Sequence, residues 1–212
     1  MKVRVKVCGV TRAEDLDMVL GLGVDAVGFN FFPGSPRFVT DRQAADLVRR
    51  VPAGVATIGV FVNQSLEEVA AKMDASGVGW AQFHDDRTSA ELARFSRPWY
   101  PALRPGEGET RLGQAWPTPF VLVDARLPGV FGGTGGQADW QVAARLALTC
   151  RVILAGGLGP HNLADAVKAV SPWGVDLNSG VESSPGCKDR RRLEQALAAL
   201  SPWRDSPAED IR

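Results

Sequence analysis

Val152-Ile153-Leu154-Ala155-Gly156-Gly157-Leu158-Gly159 and, after a helical spacer, Gly174-Val175-Asp176-Leu177-Asn178-Ser179-Gly180 decide how this chain folds. Each is a short apolar run ending in a glycine-bearing turn. Six comparable runs come before them: Val3–Val7, Ala26–Phe29, Thr57–Val62, Trp80–Phe83, Trp99–Leu103 and Phe120–Val123. With Val152–Ala155 and Gly174–Leu177 they make eight strand candidates. Most are too apolar for a sheet with one wet face and suit strands covered on both sides. Helical patterns separate them, so the strands are expected to be parallel with right-handed crossovers. An open doubly wound sheet fits the same alternation, but it normally carries its glycine fingerprint after strand one. Here that place holds Cys8-Gly9-Val10-Thr11, and the glycine turns follow strands seven and eight. The count of eight and the late glycine turns favour closure into a single-domain (β/α)8 TIM barrel. The chain's 212 residues lie near the lower end for that fold, which runs from roughly 200 residues upward. The barrel is expected over residues 1–200, with a partly frayed tail over 201–212.

Several helix starts are marked. Thr11-Arg12-Ala13-Glu14 and Ser65-Leu66-Glu67-Glu68 read as capping boxes, in which hydroxyl and acid satisfy free amides. Asp41 is placed to cap a helix running to about Arg50, and Pro160 suits a first helical position, where no N–H is needed. The stretch Arg104–Thr118, rich in Gly and Pro, is the weakest, and the fifth helix there is expected to be short or irregular.

Lys plus Arg and Asp plus Glu each total 24, so bulk charge selects neither nucleic acid nor a membrane surface. An anion must be met by local groups. The three cysteines, Cys8, Cys150 and Cys187, are odd in number and lack metal-ligand spacing, which argues against a disulfide framework or a zinc site and for a reducing, cytoplasmic setting. The N-terminus alternates charge with valine rather than forming a signal peptide. No window approaches the ~20 uninterrupted apolar residues of a membrane span.

If the strands form one barrel, the residues just past their C-terminal ends gather at one mouth. Taken singly, the turns at Gly156-Gly157 and Ser179-Gly180 are tight turns. As the last two loops of an eightfold pattern they read as a phosphate site built from backbone amides. The loop Phe131-Gly132-Gly133-Thr134-Gly135-Gly136 after strand six adds amides, a hydroxyl or a lid. Cys8 reads as a small buried hydrophobe in most strands. At a catalytic mouth its thiolate is a base or a nucleophile, once a cation or helix terminus raises the thiolate fraction. Asp124, closing Phe120-Val121-Leu122-Val123, is either a loop ion-pair partner or a general acid or base. Arg37, in Phe32-Pro33-Gly34-Ser35-Pro36-Arg37, is a candidate for a bidentate carboxylate contact. Asp176, inside strand eight, either orients a hydroxyl or threads a core hydrogen bond. His84 and His161 have no evident partner and read as structural.

At these residues the chain resembles the phosphoribosylanthranilate isomerases, barrel enzymes of tryptophan biosynthesis. The matching stretches include Lys6-Val7-Cys8-Gly9-Val10-Thr11, Ser35-Pro36-Arg37-Phe38-Val39, Gln82-Phe83-His84, Leu122-Val123-Asp124, Gly133-Thr134-Gly135, Ala155-Gly156-Gly157-Leu158, and Val175-Asp176 with Ser179-Gly180-Val181-Glu182. The resemblance implies an Amadori rearrangement of an N-linked phosphoribosyl anthranilate to an aminodeoxyribulose phosphate. It also implies roles: Asp124 as the acid that opens the ribose ring, Cys8 as the base, Arg37 on the anthranilate carboxylate, and Asp176 on the sugar. Gly156, Gly157, Ser179 and Gly180 would hold the phosphate, with Gly133, Thr134 and Gly135 nearby. No metal or organic cofactor is implied, and the partner is a small phosphorylated sugar, with no nucleic acid and no membrane. The chain would act as a monomer or homodimer. Asp85 after His84, Pro101 in strand five and Ala138 before Asp139-Trp140 depart from the family's usual pattern. Two rivals stand beside this reading. One is a histidine-pathway-like isomerase on the same barrel, which the Cys8–Asp124 pair argues against. The other is a phosphate-ligand-binding barrel without catalysis.

Overall fold

The structure is a computed structural model that describes residues 2–104, 115–125 and 137–204. Eight parallel strands close into a barrel in sequential order. They are β1 (Arg4–Val7), β2 (Ala26–Asn30), β3 (Ala56–Phe61), β4 (Trp80–Phe83), β5 (Trp99–Leu103), β6 (Phe120–Asp124), β7 (Arg151–Ala155) and β8 (Gly174–Leu177). Closure comes from β1 pairing with β8, which sets Lys6 opposite Asp176. All eight expected strands are present, with ends shifted by a residue at most.

The two-residue period of a strand sorts the side chains. Val5 and Val7 of β1 face outward into the layer that also holds Val27, Leu154 and Val175, where helix residues such as Leu16, Leu163 and Leu193 cover them. Each side chain so buried contributes roughly 1.5–3 kcal/mol relative to exposure. A smaller cluster, Ile58, Tyr100, Ala102, Leu122, Ile153 and Ala155, fills the barrel itself. At its N-terminal end lies a cavity of about 290 Å³, lined by Arg4, Asp25, Trp80, Phe120 and Trp173 among others.

Helix entry follows the sequence in part. Ser65 caps Leu66–Ser76 with the full box, its hydroxyl accepting from Glu68 N at 3.1 Å. Thr11 forms no box. Its hydroxyl donates to Gly186 O at 2.8 Å, and the helix Ala13–Gly21 starts without a side-chain cap. Thr40, not Asp41, caps Asp41–Val48, with Gln43 completing the box. Asp41 instead pairs with Lys72 at 3.0 Å. Pro160 lies in a turn, and the helix begins at Leu163, because Asn162 ties the turn back by accepting from Gly159 N at 2.9 Å. Most of the stretch proposed for the fifth helix falls outside the described residues. Ser201–Arg204 is a helical turn docked on the barrel, Trp203 O accepting from Val3 N at 3.0 Å.

After β8 the chain makes a 3-10 turn, Ser179–Val181, and a ribbon of β9 (Glu182–Ser184) and β10 (Cys187–Lys188). Asp189 then caps the helix Arg190–Ala199, accepting from Arg192 N at 2.9 Å. The ribbon brings two charged residues, Glu182 and Lys188, over the C-terminal mouth.

Candidate active site

Cys8 follows β1 directly, its amide donating to Leu177 O of β8 at 2.8 Å. Its thiol is buried, and a reason is visible on β2. A Cβ at Gly28 would stand 2.8 Å from Cys8 Sγ and 3.1 Å from Lys6 Cε, so glycine makes the space that both side chains occupy. Burial pushes the Cys8 thiol up from its ordinary value, Lys6 and Lys188 pull it down, and Asp176 adds to the rise.

Lys6, two residues earlier on the same face of the strand, is the group that sequence reading missed. Its ammonium donates to Asp176 Oδ2 at 2.6 Å and to Gln82 Oε1 at 2.7 Å. The Tyr100 hydroxyl donates to the same Gln82 oxygen at 2.8 Å. The amide of Gln82 meets His84 Nε2, so His84 does have a partner. Burial, reinforced by Lys6 and Arg104, lowers His84 to about 3, and its neutral ring is the acceptor of that contact. Burial is the largest influence on Lys6 and opposes its charge, but Asp176 together with Cys8 and Tyr100 more than offsets it, and the ammonium is held more firmly charged than in water. Of the two sequence readings of Asp176, the core contact is therefore present, as an ion pair.

Asp176 keeps something in reserve. Among the described residues, Asp176 Oδ1 and Asp124 Oδ1 are buried without a hydrogen-bond partner. Burial pushes the Asp176 carboxyl up against the pull of Lys6 and Lys188, and the Asp124 charge adds to that push. Buried acceptors of this kind are rare enough to need an explanation, and two at one mouth suit a ligand rich in hydroxyl donors.

Arg37 lies across the mouth from the loop after β2. Gly9, with φ +70°, gives way to it: a Cβ there would sit 2.5 Å from Arg37 Cδ. The guanidinium does make a bidentate carboxylate contact, but with Glu182: Nε reaches the two oxygens at 2.9 and 3.1 Å, and Nη2 closes the fork. Lys188 donates to the same carboxylate at 2.8 Å. Burial alone would raise Glu182; Arg37 and Lys188 overcome it and lower the carboxyl.

The glycine turns form one surface. A Cβ at Gly180 would lie 2.1 Å from Leu158 O, so the loop after β8 packs on the loop after β7 only because position 180 is glycine. Gly156 and Gly157 take φ of +105° and +67°, backbone that a side chain would strain. Asn162, also missed, anchors this loop through Gly157 O and Gly159 N. Gly133, Thr134 and Gly135 lie outside the described residues.

A family model described as N-(5'phosphoribosyl)anthranilate (PRA) isomerase matches residues 5–199. The chain belongs to this family. An N-(5'-phosphoribosyl)anthranilate isomerase of Thiobacillus denitrificans is 43% identical over 201 residues, 93% of this chain and 98% of that one. The solved phosphoribosyl anthranilate isomerase of Thermotoga maritima is 30% identical, with a TM-score of 0.83 over 94% of this chain and 99% of that one. A further isomerase, solved in complex with reduced 1-(o-carboxyphenylamino)-1-deoxyribulose 5-phosphate, is 28% identical with a TM-score of 0.80 over the same shares, 94% and 99%. Family membership makes the chain an enzyme, an isomerase of tryptophan biosynthesis. It also sets aside the histidine-pathway and non-catalytic readings. Of the departures from the family pattern, Asp85 is buried and pairs with Arg87, which also donates to Gln64 O, so it fastens the loop after β4. No helix among the described residues is long and apolar enough to cross a membrane.

Proposed function

We propose that the isomerase works by paired acid–base chemistry between Asp124 and Cys8, on N-(5'-phosphoribosyl)anthranilate alone. Asp124 gives a proton to the ribose ring oxygen, the C1–O bond breaks, and the nitrogen lone pair forms the C1=N bond of a Schiff base. The Cys8 thiolate takes the proton from C2, and the electron pair of that bond closes C1=C2 as the iminium collapses to an enolamine. Tautomerisation gives the 1-amino-1-deoxy ketose. The acid ends one proton short and the base one proton rich, so solvent resets the pair and no redox partner, metal or organic cofactor is consumed.

The observation that carries this reading is the placing of Asp124, with an unpartnered buried oxygen, at the mouth where Cys8 sits in the field of Lys6 and Lys188. A lysine beside a thiol favours its ionised form. Asp176 Oδ1 is assigned to a sugar hydroxyl. Gly156, Gly157, Ser179 and Gly180 are assigned to the phosphate, with Gly133, Thr134 and Gly135 from the loop after β6. Arg37 is assigned to the anthranilate carboxylate through Nη1 and the free side of Nη2. The chain is taken to act in the cytoplasm as a monomer or homodimer, without nucleic acid or membrane, and sedimentation velocity separates the two assemblies. The decisive assay follows anthranilate fluorescence after adding enzyme to freshly made phosphoribosylanthranilate, corrected for spontaneous hydrolysis. Conversion to the carboxyphenylamino-deoxyribulose phosphate is expected, and folded protein that binds the reduced product analogue without turnover would overturn the acid–base reading.

A further inference from the structure

We infer that Glu182, held by Lys188, is a positioning residue that aims Arg37 and thereby sets how strongly the site selects a carboxylate on the aromatic ring of its substrate. The inference rests on the assignment of Arg37 to that carboxylate. A lone arginine on a loop after β2 would be free to choose among rotamers, and ordering it would cost affinity. Here its Nε and Nη2 are already bound to both oxygens of Glu182. Among the described residues Nη1 has no partner, so one edge of the fork is fixed and the other is left for a ligand. The second carboxylate such an arginine meets finds it pre-organised.

The anchor is itself built in. The Glu182 side chain is 3% exposed, and the Lys188 side chain 0%. Lys188 donates to Glu182 at 2.8 Å and to Asn178 Oδ1 at 3.2 Å, and Gly186 N donates to Glu182 at 3.3 Å. The ribbon that carries both residues is pinned from the segment after β1: Asp15 of the helix accepts from Lys188 N at 3.1 Å and Thr11, in the loop before that helix, donates to Gly186 O at 2.8 Å. This is the contact that took Thr11 away from its expected capping box. Two cations and one anion leave the cluster with one net positive charge, so an incoming carboxylate is attracted although Arg37 is already paired. A buried carboxylate between two cations is costly to desolvate. Its presence next to the carboxylate subsite assigned to Arg37 is what a positioning role explains.

The test compares two ligands on the intact enzyme by calorimetry: reduced 1-(o-carboxyphenylamino)-1-deoxyribulose 5-phosphate and its counterpart lacking the ring carboxyl. The wild type is expected to prefer the carboxylated ligand, and Arg37→Ala to abolish the preference. Glu182→Gln should cut the preference about tenfold, the scale of a lost charge-assisted hydrogen bond, while affinity for the ligand without the carboxyl stays within about twofold. Glu182→Asp keeps the charge but shortens the reach. It should give a smaller loss, and it serves if the glutamine variant is too unstable to purify. An unchanged preference in the Glu182 variants, or an equal loss for both ligands, overturns the inference. A wild-type preference in Arg37→Ala instead overturns the assignment of Arg37, so the two failures are distinguishable.

Discussion

The two ends of this barrel are built on opposite principles. At the N-terminal end Arg4 covers Trp173 at 4.5 Å, Trp173 meets Phe120 at 4.7 Å, and Phe120 meets Trp80 edge-on at 5.5 Å. These groups satisfy one another, with aromatic faces and edges in the arrangements their quadrupoles prefer. At the C-terminal mouth Lys6, Asp176, Glu182 and Lys188 are buried charges, and two carboxylate oxygens are left without partners among the described residues. Buried ion pairs are weak sources of stability compared with apolar packing of the same volume. The mouth therefore carries groups that folding alone would not select, and the difference between the ends separates what holds the barrel shut from what it does.

The sharpest way to break that contrast is at the acid–base pair. Cys8→Ser should keep the fold and phosphate-ligand affinity while lowering turnover by about a thousandfold, within the range expected for losing a positioned base. Asp124→Asn should do the same at the ring-opening step. Wild-type-like turnover in either variant would remove that residue from the chemistry. Next in size is Lys6→Met, which should lower stability by about 3–5 kcal/mol, because it strands the Asp176 carboxylate in the barrel. Urea titration by circular dichroism reads this, and a loss under about 1 kcal/mol would mean that the pair is not the internal strut it is taken to be.

Two milder variants sharpen the contrast. Gly28→Ala puts a methyl where the Cys8 sulfur and the Lys6 stem now lie. Overpacking of this kind costs about 1–3 kcal/mol, and turnover should fall more than stability, since the displaced atom is the proposed base. Trp173→Leu at the opposite end should do the reverse. It should cost about 1–2 kcal/mol of stability through lost packing, with kcat/KM unchanged. A large loss of kcat/KM in this variant would show that the ends are coupled and the division drawn above is false.

How much of this was legible from the sequence follows the same division. The strands were readable because a covered strand is a nearly unbroken apolar run, and the late glycine turns were readable because few residues can take φ of +105° or let two loops pack as Gly180 and Leu158 do. The charged interior was not. Lys6 in Val3-Arg4-Val5-Lys6-Val7 passes for a solvated alternation, although its spacing of two from Cys8 puts both on one face of the strand. Glu182 and Lys188 stand in recognisable motifs, yet nothing local says that Arg37, 145 residues earlier in the chain, is the partner of Glu182. Thr11 and Asp41 show the converse: the local signals marked true helix starts, but neither residue caps, Thr11 being drawn into a tertiary hydroxyl contact and Asp41 displaced by the neighbouring Thr40.

The smallest effect expected is a titration, and it bears on how the base is tuned. Four charged groups act on the Cys8 thiol or lie against it: Lys6 and Lys188 lower it, Asp176 raises it, and Arg37 packs over Gly9 beside it. Burial outweighs the cations, so the thiol lies above its ordinary value. In the unliganded enzyme most Cys8 is then protonated at neutral pH, and the thiolate fraction grows about tenfold per pH unit below the midpoint. The rate of Cys8 carboxamidomethylation, read peptide by peptide to separate it from Cys150 and Cys187, should therefore climb with pH to a midpoint above that of a free thiol. A midpoint below that of a free thiol would mean that Lys6 and Lys188 win over burial and that the base is pre-ionised. The mouth would then be better described as a thiolate held by two lysines than as a thiol that ionises only for the reaction.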